Sequence, residues 1–222
     1  MKKSYIVLAL AVVLIGGYFL YVPTAEAPQK DTSMSFFITS VNTGKGADLG
    51  GLAGADAYCT TLAESAGVVG KTWRAYLSAA ATDSAPTVNA RDRIGAGPWH
   101  NAKGDLIAAT LEELHGTNNL SKATALTEMG QVVLGRGDTP NMHDILTGSN
   151  ADGTLAVGAT DTTCANWTSS TDGSAVVGHH DRIGINDSEP MKSWNSSHAS
   201  RGCSLDALKS TGGNGLYYCF AE

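Results

Sequence analysis

The chain has 222 residues, a formal net charge of −6 and no cluster of basic residues, which excludes the electrostatic footprint of a nucleic-acid-binding protein. With the apolar N-terminus set aside, roughly 190 residues are left, enough for one domain with a proper core. The 26 glycines and the low share of charged residues, 16%, favour a loop-rich fold of short strands.

Lys2 and Lys3 precede an almost unbroken apolar run from Tyr5 to Val22, the pattern of a membrane-targeting segment with its lysines on the cytoplasmic side. Ala25-Glu26-Ala27 has the small-x-small shape of a cleavage site, although Pro28 would follow the cut. The run is also long enough, at about 18 residues, to span a bilayer. Residues 1–22 therefore read as a signal peptide or an N-terminal anchor, 23–33 as a polar linker, and 34–222 as one extracytoplasmic domain. That domain is either secreted or tethered through residues 5–22, its only expected contact with a membrane.

Ser35 to Ser40, rich in aromatic and β-branched residues, reads as a first strand. After the glycine-rich turn 44–51, Leu52, Ala55, Cys59, Leu62 and Ala66 recur at intervals of three and four, which predicts a helix over 52–66 with Cys59 on its buried face. Trp73 to Leu77 reads as a second strand, Val88 to Ile94 as a short helix, and Gly95 to Asn101 as a turn. Leu106-Ile107-Ala108 is a brief strand, and Leu111 to Leu114 either continues it or forms one helical turn. Residues 118–127 look polar and solvent-exposed. Asp144 to Thr147 is another strand candidate, followed by a hairpin-like stretch from Gly148 to Thr154 whose Asp-Gly favours a tight turn. Leu216 to Phe220 is the closing strand.

Cys59, Cys164, Cys203 and Cys219 form an even set in a chain that reads as exported, which favours two disulfides. A zinc site would call for close C-x-x-C pairs, and there are none. Asp92-Arg93-Ile94-Gly95 recurs as Asp181-Arg182-Ile183-Gly184. In each copy the Asp-Arg pair either braces a loop while the isoleucine plugs the core, or helps shape a shared binding surface.

W-R-A-Y-L-S from Trp73, V-N-A-R-D from Val88, P-W-H-N from Pro98, H-D-I-L-T-G-S-N-A-D-G-T from His143, C-A-N-W from Cys164 and Y-Y-C-F-A-E from Tyr217 follow one another in order. This series, covering Trp73 to Glu222, resembles the landmarks of endostatin, a collagen fragment with a C-type-lectin-like fold. The chain is also similar to bacterial exported proteins described as lectin-like. The resemblance implies an α+β, C-type-lectin-like (endostatin-like) domain with short antiparallel strands, one main helix, long loops and two nested disulfides, Cys59–Cys219 and Cys164–Cys203. For loops of those sizes, chain entropy assigns roughly 5 and roughly 4 kcal/mol.

The calcium site of many C-type lectins uses a Glu-Pro-Asn loop and a Trp-Asn-Asp stretch, hard oxygens around a hard cation. Here the matching pieces are Glu189-Pro190-Met191 and Trp194-Asn195-Ser196, each short of one oxygen ligand and too close together. Calcium is therefore not expected, and no other cofactor is. His179-His180-Asp181, His143-Asp144 and His198 offer ligands for a transition metal, but adjacent histidines point apart on a strand, so surface or hydrogen-bonded roles are expected. There is no Gly-x-Ser-x-Gly elbow and no paired-carboxylate signature, so no enzyme is expected. Arg136-Gly137-Asp138 spells an integrin tripeptide of a length that recurs by chance. What is left is a geometric site. Trp99, His100, Asn101, Trp194, Asn195 and His198 could set an aromatic plane beside amides for a sugar ring, unless both tryptophans are core. The reading is a non-catalytic, lectin-like carbohydrate-binding protein with a glycan partner; the alternative is a cell-surface structural or adhesion protein that binds another protein.

Overall fold

The computed structural model describes residues 33–158 and 160–222. The segment 1–22, expected to target a membrane, and all but the last residue of the expected linker lie outside the described residues. Among those described, no helix is long and apolar enough to cross a membrane. In chain order the elements are β1 (Phe36–Ile38), α1 (Gly51–Ser65), β2 (Trp73–Ala75), β3 (Trp99–His100), β4 (Leu106–Ala108), α2 (Leu111–His115) and β5 (Asp144–Leu146). They continue with α3 (Cys164–Trp167), β6 (Val176–His179), β7 (His198–Ala199), α4 (Leu205–Lys209) and β8 (Gly213–Ala221). The fold is mixed α+β, with short strands, one long helix and two disulfide bonds.

β8 is the axis of the main sheet. One of its edges pairs antiparallel with β1, setting Phe37 opposite Cys219. The other edge is shared: β2 pairs antiparallel with its C-terminal part, and β5 runs parallel to its N-terminal part with Ile145 opposite Leu216. β6 and β7 extend the sheet beyond β5, giving the order β1-β8-β5-β6-β7 with β2 also on β8. The parallel β5–β8 pair corrects the expectation of purely antiparallel strands. Two strands can run parallel only over a long connection, and β6, β7 and α4 provide it.

Alternation along β8 divides the interior. Tyr217, Cys219 and Ala221 face a core built with Trp73, Leu146, Trp167 and the α1 residues Ala55, Cys59, Leu62 and Ala63. Leu216, Tyr218 and Phe220 face an aromatic core containing Phe36, Tyr76, Trp99 and Trp194. Both disulfides implied by the resemblance are present: Cys59–Cys219 ties α1 to β8, and Cys164–Cys203 lies within that loop.

Several local expectations are corrected. Trp99 and His100 form a strand against β4 rather than part of a turn. The 118–127 segment is not a solvated loop: Leu120, Ala125, Leu126 and Thr127 are buried, and Asn118 caps the turn by accepting from the Leu120 N–H at 3.0 Å. Val88 to Ile94 contains only a 3₁₀ turn at Ala90–Asp92. Of the two echoed loops, both arginines brace backbone, Arg93 at Ala75 and Arg182 at Leu120, but only Ile94 enters the core. Ile183 stays exposed, and its carbonyl faces His143 Nδ1.

A candidate metal centre

The β5–β6–β7 end of the sheet gathers three histidines around one carboxylate. Antiparallel pairing sets Asp144 of β5 directly opposite His179 of β6. β7 places His198 opposite Val177, two residues along from His179 and therefore on the same face. His143 precedes the first residue of β5, so strand alternation does not turn it away from Asp144. Two glycines make this packing possible. A Cβ on Gly178 would lie 1.8 Å from the Trp194 carbonyl oxygen, so only glycine lets the segment leading into β7 cross β6. Gly212, at φ +111°, sits where a Cβ would meet the His143 ring at 2.8 Å.

The Nε2 atoms of His143, His179 and His198 lie 3.2, 3.3 and 3.5 Å from Asp144 Oδ1. The His143 and His179 rings stack with centroids 4.1 Å apart and planes 14° from parallel. Each ring's other nitrogen faces a backbone carbonyl: His143 Nδ1 and Ile183 O at 3.1 Å, His179 Nδ1 and Met191 O at 2.8 Å, His198 Nδ1 and Ala199 O at 3.1 Å. A carbonyl can only accept, so those contacts assign the proton of each neutral ring to Nδ1 and leave a lone pair on Nε2. Asp181, buried behind His143, comes within 3.4 Å of its Nδ1 and accepts from the N–H groups of Arg136 and Ile183 at 2.6 and 3.0 Å.

Three lone pairs therefore converge on a carboxylate that is itself an acceptor. Asp144 is 2% exposed, and neither of its oxygens, nor His179 Nε2, has a hydrogen-bond partner among the described residues. Burial pushes the Asp144 pKa up, yet the approach of His179 and His198 brings it down to about 2. His198 in turn is raised by Asp144. The carboxylate thus has electrostatic neighbours but no well-aligned donor. Buried polar groups without partners are costly, and a cation at the convergence point removes the conflict. Ligand atoms around a tetrahedral zinc at about 2.0–2.1 Å sit about 3.3 Å from one another; His143, Asp144 and His179 offer ligand atoms that all lie within 4.8 Å of one another, and His198 Nε2 approaches from the side of the carboxylate. The backbone carbonyls and Asp181 behind the rings are the outer partners that hold ligating imidazoles in the right tautomer.

No protein-family model and no curated protein matches this chain. The assignment of the site therefore rests on these side chains.

Of the six residues expected to form a sugar-binding face, His198 alone belongs to this cluster. Trp99, 0% exposed, donates from its indole to Ala221 O at 3.1 Å and packs on Phe220. Trp194, 3% exposed, stacks against Tyr76 and Tyr218. Both indoles are buried in the aromatic core, because the large aromatics are what this small-stranded sheet has to fill its interior. His100 is buried behind Ser35. Asn101 closes the β3–β4 turn by accepting from Lys103 and Asp105 N–H groups. Asn195 ties Tyr76 to the carbonyls of Asn150 and Ala151. A cavity of about 570 Å³ lies beside Trp194, but Arg182 and Asn195 in its wall are already engaged. The smaller one, about 320 Å³, opens onto His143, His179 and His198. We place the candidate site there, since its wall includes His179, whose Nε2 lacks a hydrogen-bond partner among the described residues, and the two histidines that approach Asp144 beside it.

Other candidates are accounted for. His180 turns away from the cluster toward Leu134 O, as alternation demands, and burial lowers its pKa to about 4. Asp138 of the Arg-Gly-Asp tripeptide is held by Lys122 and the Gly135 N–H. Asp152 and Asp161, carboxylates in loops that a calcium ion could have used, cap their own turns at Thr154 and Thr163. His143, Asp144, His179 and His198 can be named from the sequence as possible metal ligands, but the sequence favours surface or hydrogen-bonded roles for them, because their meeting depends on the β5–β6 register. The available signal was scarcity: the chain has 6 histidines, and one stands beside an aspartate at the start of an apolar strand.

Proposed function

We propose that this chain is an extracytoplasmic, C-type-lectin-like binding protein in which a divalent transition metal, held by His143, Asp144 and His179 with His198 beside them, anchors the ligand. The observation that carries the proposal is the buried Asp144 carboxylate facing imidazole lone pairs with no aligned proton donor. A donor set of two imidazoles and one carboxylate, with a third imidazole in reach of the carboxylate, suits zinc first and other late first-row metals after it. The lectin-like reading of the fold is supported by the ordered landmarks from Trp73 to Glu222 and by the nested disulfides. Export is supported by those same bonds and by the apolar N-terminal run. A glycan is the ligand class suggested by the resemblance. The metal, not an aromatic platform, would hold it, because a bound cation supplies a Lewis-acid contact to a ligand oxygen.

Full-length protein stripped with a chelator and then given zinc should take up one equivalent per chain by elemental analysis. At zinc about a thousandfold above its Kd, the fold should gain about 4 kcal/mol. Asp144→Asn replaces the carboxylate with an amide whose N–H faces the lone pairs. The stripped variant should therefore be at least as stable as its stripped parent, yet gain nothing from zinc. If zinc, cobalt, nickel, copper and manganese all leave the melting temperature of the parent unchanged, the proposal fails.

A further inference from the structure

Resting on that reading of the metal centre, we propose that the ligand carries an oxyanion, one oxygen on the metal and the others on the guanidinium groups of Arg136 and Arg201. The chain has six arginines. Arg74 pairs with Asp56 and Glu222, Arg93 with Asp56, Arg91 donates to Asp152 O, and Arg182 to Leu120 O. Among the described residues, the guanidinium groups of Arg136 and Arg201 bond to nothing, and both line the cavity over the histidines. In a chain of net charge −6, two unpaired arginines beside a dication make a local positive focus.

Both arginines stand on fixed backbone. The Arg136 N–H is bound at 2.6 Å by Asp181, the carboxylate that also backs His143, so this arginine is anchored to the metal centre itself. Arg201 follows Ser200, which exchanges bonds with the Ala175 backbone in both directions, and lies two residues before the Cys203 disulfide. Guanidinium presents a planar fork that matches carboxylate and phosphate oxygens. The rest of the wall includes Met191 and Ile185, the latter 75% exposed, an apolar surface for the carbon body of the ligand. The class that fits is a small organic oxyanion, for which an acidic sugar and a phosphorylated one share the recognised chemistry.

The test uses the full chain loaded with cobalt(II), whose visible absorption reports its coordination. Inorganic phosphate, glucuronate and neutral glucose are titrated at constant ionic strength. Phosphate or glucuronate should change the cobalt spectrum saturably, at least tenfold more tightly than glucose. Glucuronate alone would identify a sugar carboxylate as the source, and phosphate alone a phosphoryl group. In Arg136→Gln/Arg201→Gln, cobalt uptake should be unchanged and oxyanion affinity at least tenfold weaker. Glucose binding as tightly as the anions, no spectral response to either anion, or unchanged affinity in the double variant would overturn the inference. Normal cobalt uptake without an anion response leaves the metal centre standing and removes only the oxyanion. Failure to take up cobalt at all removes the metal centre as well.

Discussion

Four consecutive residues in α3 have left-handed backbone: Cys164 at φ 48°, Ala165 at 54°, Asn166 at 55° and Trp167 at 67°. Each costs a non-glycine residue roughly 1–2 kcal/mol, so the neighbourhood must hold the turn in place. Asp161 accepts from the Thr163 and Ala165 N–H groups at 2.9 and 2.6 Å, and Thr163 Oγ1 accepts from the Asn166 N–H at 3.2 Å. The Asn166 amide brackets Ala80, Trp167 donates to Ser78 O, and the disulfide to Cys203 pins the start. Glycine relieves the strain at Ala165 but adds freedom to the unfolded chain, worth about 0.4–1 kcal/mol. Ala165→Gly should therefore leave the melting temperature unchanged or raise it. In the right-handed helix α1, Ala57→Gly should cost about 1 kcal/mol. Equal losses at the two positions in denaturant unfolding would contradict a left-handed turn.

At the scale of elements, β6 bears the most on the site and was the least legible. α1, β1, β2, β5 and β8 stand out in the sequence because apolar periodicity or an unbroken aromatic run marks each of them. Val176-Val177-Gly178-His179 has no such mark: its glycine reads as a break and its histidine as surface, although both are buried for packing reasons. β7 is two residues long, below any pattern. Trp99 and Trp194 could be read from the sequence as core or as a binding platform, since an aromatic in a glycine-rich stretch looks the same whether it faces in or out; both are core. The residues of the histidine–aspartate cluster could be named together from the sequence, but whether they converge depends on strand register, which is non-local. Gly178 tests this element directly. Gly178→Ala drives a methyl into the Trp194 carbonyl and should destabilise the fold by about 3 kcal/mol, at the upper end of overpacking costs. It should also weaken zinc uptake by displacing His198, and an alanine variant with parental melting and zinc affinity would refute the packing described.

For the molecule as a whole, the Cys59–Cys219 bond closes a separation of 160 residues and Cys164–Cys203 one of 39. Chain entropy assigns about 5 kcal/mol to the first and about 4 to the second, against a net stability of about 5–15 kcal/mol for a typical domain. Replacing Cys59 and Cys219 by alanine should leave the protein unfolded or barely folded at 37 °C by circular dichroism. Replacing Cys164 and Cys203 should cost somewhat less. If both pairs could be removed without changing the denaturation midpoint, the sheet alone would be holding the fold.

β1, β2 and β5 all take β8 as a partner, and β8 follows every one of them in the chain. A polypeptide moving N-terminus first thus trails three unmated strand edges until residue 213 arrives. The sheet cannot be zipped along its spine before that last stretch exists. Such a polypeptide acquires its rigidity only when its end is in place.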